Sequence, residues 1–222
     1  MKGKLIVLEG LDGSGKATQA TLLCDALEKL GRKVRHISFP DYESKSSTLV
    51  KMYLDGEVGS LSEVNAFAAS SFYSLDRYIS YQTIWREDYE ENGAIIVADR
   101  YTTSNLSHQM GKLPRDEWSS YIDWLIHYEY EMLELPAPDV VIYLDMHPEA
   151  SRKLIEKRYH GDESKKDLHE SDFAYLMHCR ESALFAAGAR GWNVITCSDD
   201  NHEPVSIDDI AEKILSIVEK NI

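Results

Sequence analysis

Lys16 closes a run in which glycines recur at fixed distances: Gly10-Leu11-Asp12-Gly13-Ser14-Gly15-Lys16-Ala17-Thr18. Gly10, Gly15 and Lys16 match the G-x-x-x-x-G-K spacing of a phosphate-binding loop. Glycine lets backbone N–H groups turn inward on an anion, the following helix adds its positive N-terminus, and Lys16 reaches the outer phosphates. One position departs from the pattern. The residue after the lysine is usually Ser or Thr, whose hydroxyl ligates magnesium, but here it is Ala17, with Thr18 one place late. Magnesium must then be held through phosphates, water and nearby carboxylates, while the backbone still supplies the phosphate cradle.

A second group of polar residues, Asp99-Arg100-Tyr101, closes an apolar run. Asp99 stands where a carboxylate of the magnesium shell belongs. Arg100 carries a planar fork of donors that binds oxyanions bidentately and could bridge two phosphate groups. Tyr73 and Arg77 are i and i+4, so on a helix they share a face, where a ring and a hydrogen-bond donor can clasp a base. Taken without further context, Tyr73 reads as a core aromatic and Arg77 as a solvated charge. No N-K-x-D guanine-reading sequence occurs, which counts against a GTPase.

The elements that must position these residues follow a regular rhythm. Leu5–Leu8 reads as a first strand, and Leu22, Leu23, Ala26, Leu27 and Leu30 continue at helical spacing until Gly31. Lys33–Phe39 reads as a second strand ended by Pro40, and a long helical pattern runs from about Ser62 to Glu91. Ala94–Ala98, Val140–Leu144 and Trp192–Cys197 are short apolar strands, and Ser206-x-x-Asp209 resembles a capping box opening a last helix. Apolar strands alternating with helices require a parallel sheet covered on both faces, and such folds bind ligands at the strands' carboxyl ends. The expectation is one α/β domain over residues 1–222, a three-layer doubly wound P-loop fold on a five-stranded parallel sheet.

Composition bounds the partners. With 24 basic and 38 acidic residues the net charge is −14, which argues against nucleic acid or an anionic membrane as the main partner. The cationic side chains needed for a polyphosphate must therefore be concentrated locally. Cys24, Cys179 and Cys197 are far apart with no C-x-x-C pair, and read as reduced thiols in or near a core. The apolar run in the N-terminal MKGKLIVLEG is too short for a signal peptide, and no stretch approaches the ~20 apolar residues of a membrane span. The expected compartment is the cytoplasm.

Four segments, in order behind the phosphate loop, resemble the thymidylate kinase family. Asp99-Arg100-Tyr101-Thr102-Thr103-Ser104-Asn105 is similar to its D-R-Y-x-x-S signature, and Phe39-Pro40-Asp41-Tyr42 to the F-P segment that contacts the acceptor's sugar and phosphate. Tyr73-Ser74-Leu75-Asp76-Arg77 resembles the stretch whose ring stacks on thymine and whose arginine bonds its O4. Asp167-Leu168-His169-Glu170-Ser171-Asp172 resembles the acidic sequence after the lid. The matches run from Gly10 to Asp172, about three quarters of the chain. Two positions depart: His108 stands where the family has Tyr or Phe near the sugar, and His169 where a tyrosine is common. Discrimination among dTMP, dUMP and ribonucleotides is thereby left open.

The resemblance implies ATP-dependent phosphorylation of dTMP to dTDP in deoxynucleotide biosynthesis, with Mg2+. Gly10, Gly13, Ser14, Gly15, Lys16, Ala17 and Thr18 would hold ATP, while Lys16, Arg100, Asp12 and Arg158 would serve catalysis. Phe39, Pro40, Tyr42, Tyr73, Arg77, Arg100, Ser104, Asn105, His108, Gln109, Asp167 and Glu170 would bind the acceptor. Asp12 and Asp99 would serve magnesium. A lid at about 152–170 contains the most polar stretch and its basic residues, with Arg152 and Arg158 as candidate arginines. The family is commonly dimeric through long helices, for which 62–91 is suited. A deoxyribonucleoside kinase with Asp41 or Glu43 as base, and a nucleotide-binding regulatory protein without catalysis, are the alternatives.

Overall fold

The computed structural model describes residues 2–60, 63–158 and 173–222, with 155–158 as backbone. Five strands form one sheet: β1 (Lys4–Glu9), β2 (Val34–Ser38), β3 (Ile95–Asp99), β4 (Val140–Asp145) and β5 (Asn193–Thr196). Their order is β2-β3-β1-β4-β5, and every pairing is parallel. The chain moves outward from β1 to β2, returns to β3, then crosses to β4 on the other side. The order therefore reverses between β3 and β1, and the crevice above their carboxyl ends is where a doubly wound sheet binds ligands.

Alternation along β1 explains the two covering layers. Ile6 and Leu8 point to one face, packing with Leu23 and Leu27 of α1 (Lys16–Lys29) and with Ile210, Ile214 and Val218 of the last helix, Ile207–Glu219. Leu5 and Val7 point to the other, against Tyr81, Trp85, Tyr89 and Leu135. A third apolar cluster holds Leu106, Met110, Trp118, Tyr121, Leu125 and Ala186. It joins α5 (Thr103–His108), α6 (Trp118–Ile126) and α8 (Phe173–Arg190), after α2 (Thr48–Leu54) and before α9, the last helix named above. Between α6 and α8, α7 spans Pro148–Arg158.

Two expectations need adjustment. The long helix begins at Ala66, where the Asn65 side chain accepts from the Ala68 N–H, a cap the apolar spacing does not reveal. It is also not uniform: α3 (Ala66–Ser80) passes through a π-helical turn, Tyr81–Trp85, into α4 (Arg86–Glu90). Tyr81, Trp85 and Tyr89 are four apart and all buried on the sheet. The widened turn offsets the drift that a spacing of four accumulates on a 3.6-residue helix. The N-cap half of the expected capping box is present, with Ser206 Oγ accepting from the Asp209 N–H at 3.1 Å. Cys24, Cys179 and Cys197 are buried free thiols.

Candidate active site

The phosphate loop leaves β1 at Glu9 and enters α1 at Lys16. Gly10 is dictated by space: a Cβ there would lie 2.5 Å from Ser14 Oγ and 3.1 Å from the Leu144 carbonyl. Gly13 and Gly15 are dictated by backbone, with φ of 77° and 85°, a region that L side chains avoid. The turn leaves the Lys16 amine almost buried, 3.3 Å from Asp12 Oδ1 and 3.4 Å from the Leu11 carbonyl. Burial and the neighbouring Arg100 charge push the lysine pKa down, against the pull of Asp12, Asp99 and Glu9. Ala17 and Thr18 lie on the exposed first turn of α1.

Arg100 follows β3 with φ of 68°, an uncommon conformation for a residue with a Cβ. Its guanidinium donates to Asp12 Oδ1 at 2.5 Å and to Ser104 Oγ at 3.3 Å, and lies 3.2 Å from His108 Nε2. The end of the phosphate loop and the end of β3 are thus joined through one carboxylate. Burial opposes ionisation of Asp12, yet Arg100, Lys16 and His108 together hold its pKa well below the usual carboxylate range. Arg100 is itself largely shielded from water, and Asp12 and Glu9 outweigh the burial that disfavours its charge.

Glu9, which the sequence reading passed over, is the hub beneath both segments. It is fully buried and accepts from the Gly10 N–H at 2.9 Å, Thr103 Oγ1 at 2.8 Å and Ser104 Oγ at 2.7 Å, with Arg100 Nη1 at 3.5 Å. A buried carboxylate without such donors would be strongly disfavoured. The available signal was a charged residue ending an otherwise apolar strand.

Beside this junction opens a cleft of about 120 Å³. Every acceptor-binding candidate in the described residues lines it. Phe39, Pro40 and Tyr42 come from the loop after β2, Tyr73 and Arg77 from α3, and Ser104, Asn105, His108 and Gln109 from α5 and its end. Leu54 and Tyr101 also line it, without having been singled out. Asp76 fastens the first of these segments: it accepts from the Asp41 N–H at 3.1 Å and from Ser46 Oγ at 2.5 Å. Burial raises the Asp76 pKa, partly offset by those bonds. Asp41 and Glu43 do not line the cleft. Arg158, Asp167 and Glu170, with most of the expected lid, lie outside the described residues or side chains, and Arg152 sits exposed on α7.

Arg77 is neither the solvated charge its type suggests nor an open arginine. Its Nε donates to Glu129 Oε2 at 2.8 Å and its Nη2 to Glu129 Oε1 at 2.5 Å. Both partners are essentially inaccessible. Glu129 also accepts from Ser74 Oγ at 2.7 Å and Thr102 Oγ1 at 2.6 Å, and Asn105 Nδ2 lies 3.3 Å away. Burial disfavours the guanidinium charge, but Glu129 more than restores it. One edge of the fork is spent on this pair, leaving Nη1, with only a 3.5 Å contact to the Tyr101 carbonyl, to address a ligand. Glu129 lies 52 residues from Arg77, and no local spacing announces it.

Of the two magnesium candidates, Asp99 fits the more directly. Its Oδ1 is buried with no hydrogen-bond partner among the described residues, as is Ser14 Oγ. A buried acceptor left unmatched by protein donors is suited to an ion or its water. Asp12 Oδ1 is already shared between Arg100 and Lys16.

The thymidylate kinase family model matches residues 8–206. A thymidylate kinase of Mycobacterium tuberculosis is 30% identical over 191 residues, covering 85% of this chain and 87% of the relative. One from Danio rerio is 26% identical over 222 residues, covering 99% and 94%. A solved thymidylate kinase structure from Candida albicans shares the fold with a TM-score of 0.73 at 23% identity, over 99% of this chain and 92% of that one.

Proposed function

The chain belongs to the thymidylate kinase family, and we propose that it transfers the γ-phosphoryl group of ATP to the 5′-phosphate of dTMP, yielding ADP and dTDP. The observation that carries this reading is the 2.5 Å bond from Arg100 to Asp12. With Arg100 lining the cleft and bonded to the phosphate loop, this contact supports reading its guanidinium as the cation that bridges donor and acceptor.

Phosphoryl transfer needs alignment and neutralisation of charge more than a covalent catalyst. The acceptor is a phosphate monoester with a second pKa of about 6, so it is already largely dianionic at neutral pH and needs no general base. An oxygen of dTMP attacks the γ-phosphorus, the bond to the β–γ bridging oxygen breaks, and that oxygen leaves on ADP. The backbone of 13–18 cradles the donor. Lys16 follows the migrating charge, and Arg100, turning from Asp12 to the phosphates, holds donor and acceptor in line. Asp12 then remains beside Lys16 and the sugar. Mg2+, held by Asp99 through water and by the phosphates, would offset the negative charge that gathers on the transferring group. Arg158 is assigned to the donor phosphates, and Asp167 and Glu170 to sugar or lid, on sequence alone.

In the cleft, the Tyr73 ring stacks on thymine and Arg77 Nη1 meets O4, with Asn105 and Gln109 on the base edge. Phe39, Pro40, Tyr42 and Ser104 close on sugar and phosphate. His108 contacts Arg100 where the family carries an aromatic ring. We assign the enzyme to the cytoplasm and read it as a homodimer without nucleic-acid or membrane partners. The charge of −14, the absence among described residues of a helix apolar enough to cross a membrane, and exposed Phe67, Ile79 and Ile84 along 66–90 support this.

The test is ADP release with ATP and magnesium across dTMP, dUMP, UMP, CMP, AMP and thymidine. Turnover greatest with dTMP is expected. Turnover with thymidine but not dTMP would move the acceptor chemistry to a sugar hydroxyl, and silence with all would leave a nucleotide-binding protein without catalysis. Light scattering checks the assembly, with a mass about twice 25.3 kDa expected.

A further inference from the structure

Away from the cleft, across the β4–β5 end of the sheet, His147, Glu149 and His202 converge. One ligating atom from each lies within 4.8 Å of the other two. His147 joins β4 to the start of α7, Glu149 lies in the first turn of α7, and His202 belongs to the loop between β5 and α9. The two rings stack with centroids 3.8 Å apart and planes 10° from parallel, and His202 Nε2 lies 3.8 Å from Glu149 Oε2. Among the described residues no other three His, Cys, Asp or Glu side chains come together in this way.

The loop carrying His202 is a built turn. Asp199 Oδ1 accepts from the Asn201 N–H at 2.9 Å and the Glu203 N–H at 2.8 Å, and the Asp199 N–H donates to the Glu203 carbonyl at 2.9 Å. His202 itself has φ of 58°, a conformation uncommon outside glycine. That backbone presents its ring to His147. Stacking of two neutral imidazoles alone would not need the carboxylate beside them.

We propose that His147, Glu149 and His202 form a binding site for a borderline divalent cation of the zinc class, fastening α7 to the loop between β5 and α9. Two imidazoles and one carboxylate suit Zn2+, Ni2+ or Co2+, whereas Mg2+ prefers oxygen ligands and its own water. Bonds of about 2.0–2.2 Å place ligand atoms about 3–3.5 Å apart, and because two cofacial rings cannot both aim an in-plane nitrogen at one ion, binding turns the partly exposed His147 and His202 rings out of their stack. His147 Nδ1 now accepts a long 3.3 Å bond from the Glu149 N–H, which the cation would displace if it takes that nitrogen. Water completes the shell. The two elements are already joined by the Lys153–Glu203 ion pair and by the His147 N–H donating to Ser198 Oγ at 3.2 Å, so the cation reinforces an existing contact.

The experiment titrates Co2+ and then Zn2+ into the full chain by calorimetry and absorption, in excess Mg2+ to occupy hard-cation sites. One ion per chain is expected at micromolar Kd, with a d–d spectrum free of a thiolate charge-transfer band. H147N and H202N should each weaken binding by at least about tenfold, and E149Q should weaken it also. H127N, at an exposed histidine elsewhere, should not. Saturating Zn2+ should raise Tm by on the order of 3 °C in the wild type and not in H202N. If H202N fails to fold, H147N and E149Q carry the comparison. Absence of binding, a thiolate band, unchanged affinity in the folded variants, or equal weakening by H127N would each overturn the assignment.

Discussion

Lys16 and Arg100 are both sheltered cations sharing Asp12 Oδ1, and that shared carboxylate keeps two positive charges close before any phosphate arrives. Lys16→Ala should lower kcat by at least ~10², the usual loss for one preorganised charge at a reacting centre, measured by steady-state ADP release. Near-normal turnover would remove Lys16 from the mechanism. Arg77 makes a subtler case because it is paired. Arg77→Ala should raise the dTMP KM far more than the ATP KM; an equal rise in both would place the base elsewhere. The same change strands Glu129 in the interior, which costs roughly 3–5 kcal/mol of stability. Arg77→Met with Glu129→Gln should recover much of that stability in urea melts, without recovering the dTMP KM.

The elements hold these residues through their ends. Strand β1 delivers Glu9 and the phosphate loop, β3 delivers Arg100, and α5 returns Thr103 and Ser104 onto Glu9. Gly10 stands where β1, the loop and β4 crowd together. Gly10→Ala would drive a methyl into Ser14 Oγ and the Leu144 carbonyl. The loop must then shift, and the expected result is a raised ATP KM, read from donor titrations at fixed dTMP. Helix α9 supplies a contrast remote from the cleft. Ser206→Ala removes its cap and should destabilise by about 1 kcal/mol, lowering Tm by a few degrees in a thermal melt while leaving kcat unchanged.

For the whole molecule, the buried thiols tie stability to alkaline pH. Burial pushes Cys24 up to about 11, and Cys179 and Cys197 up to about 12. An unfolded thiol loses its proton near ~8.5. Because the folded values are raised, the contribution is fully present below that pH and is lost as pH rises toward the folded values. Lys112 works in the opposite sense, since burial lowers it to about 8 and the folded chain sheds its proton first. Comparison with C24A/C179A/C197A isolates the thiols. Between pH 7.5 and 9.5 the wild type should lose on the order of 3 kcal/mol more stability than the variant in urea unfolding. Parallel curves would show that the thiols ionise in the folded protein.

Local spacing was enough to determine the phosphate loop, all five strands and the final helix cap, because each rests on periodicity or on a backbone conformation that few residues adopt. It was enough also to name Tyr73 and Arg77 as one helical face, since i and i+4 meet on any helix. Resemblance, rather than spacing, drew Phe39, Ser104, Asn105 and Gln109 into the same site, and the sheet's reversal between β3 and β1 is what brings them to one cleft. Only tertiary structure could decide the state of Arg77. Its partner Glu129 is remote in the chain and lies in a π-helical turn, so neither its burial nor the loss of half the arginine's donors follows from local pattern. The same holds for Glu9: its charge was visible, but the four donors that stabilise it come mostly from residues some 90 positions away. Contacts between distant segments depend on how sheet order and helix packing fold the chain back on itself, and sequence separation carries no record of that.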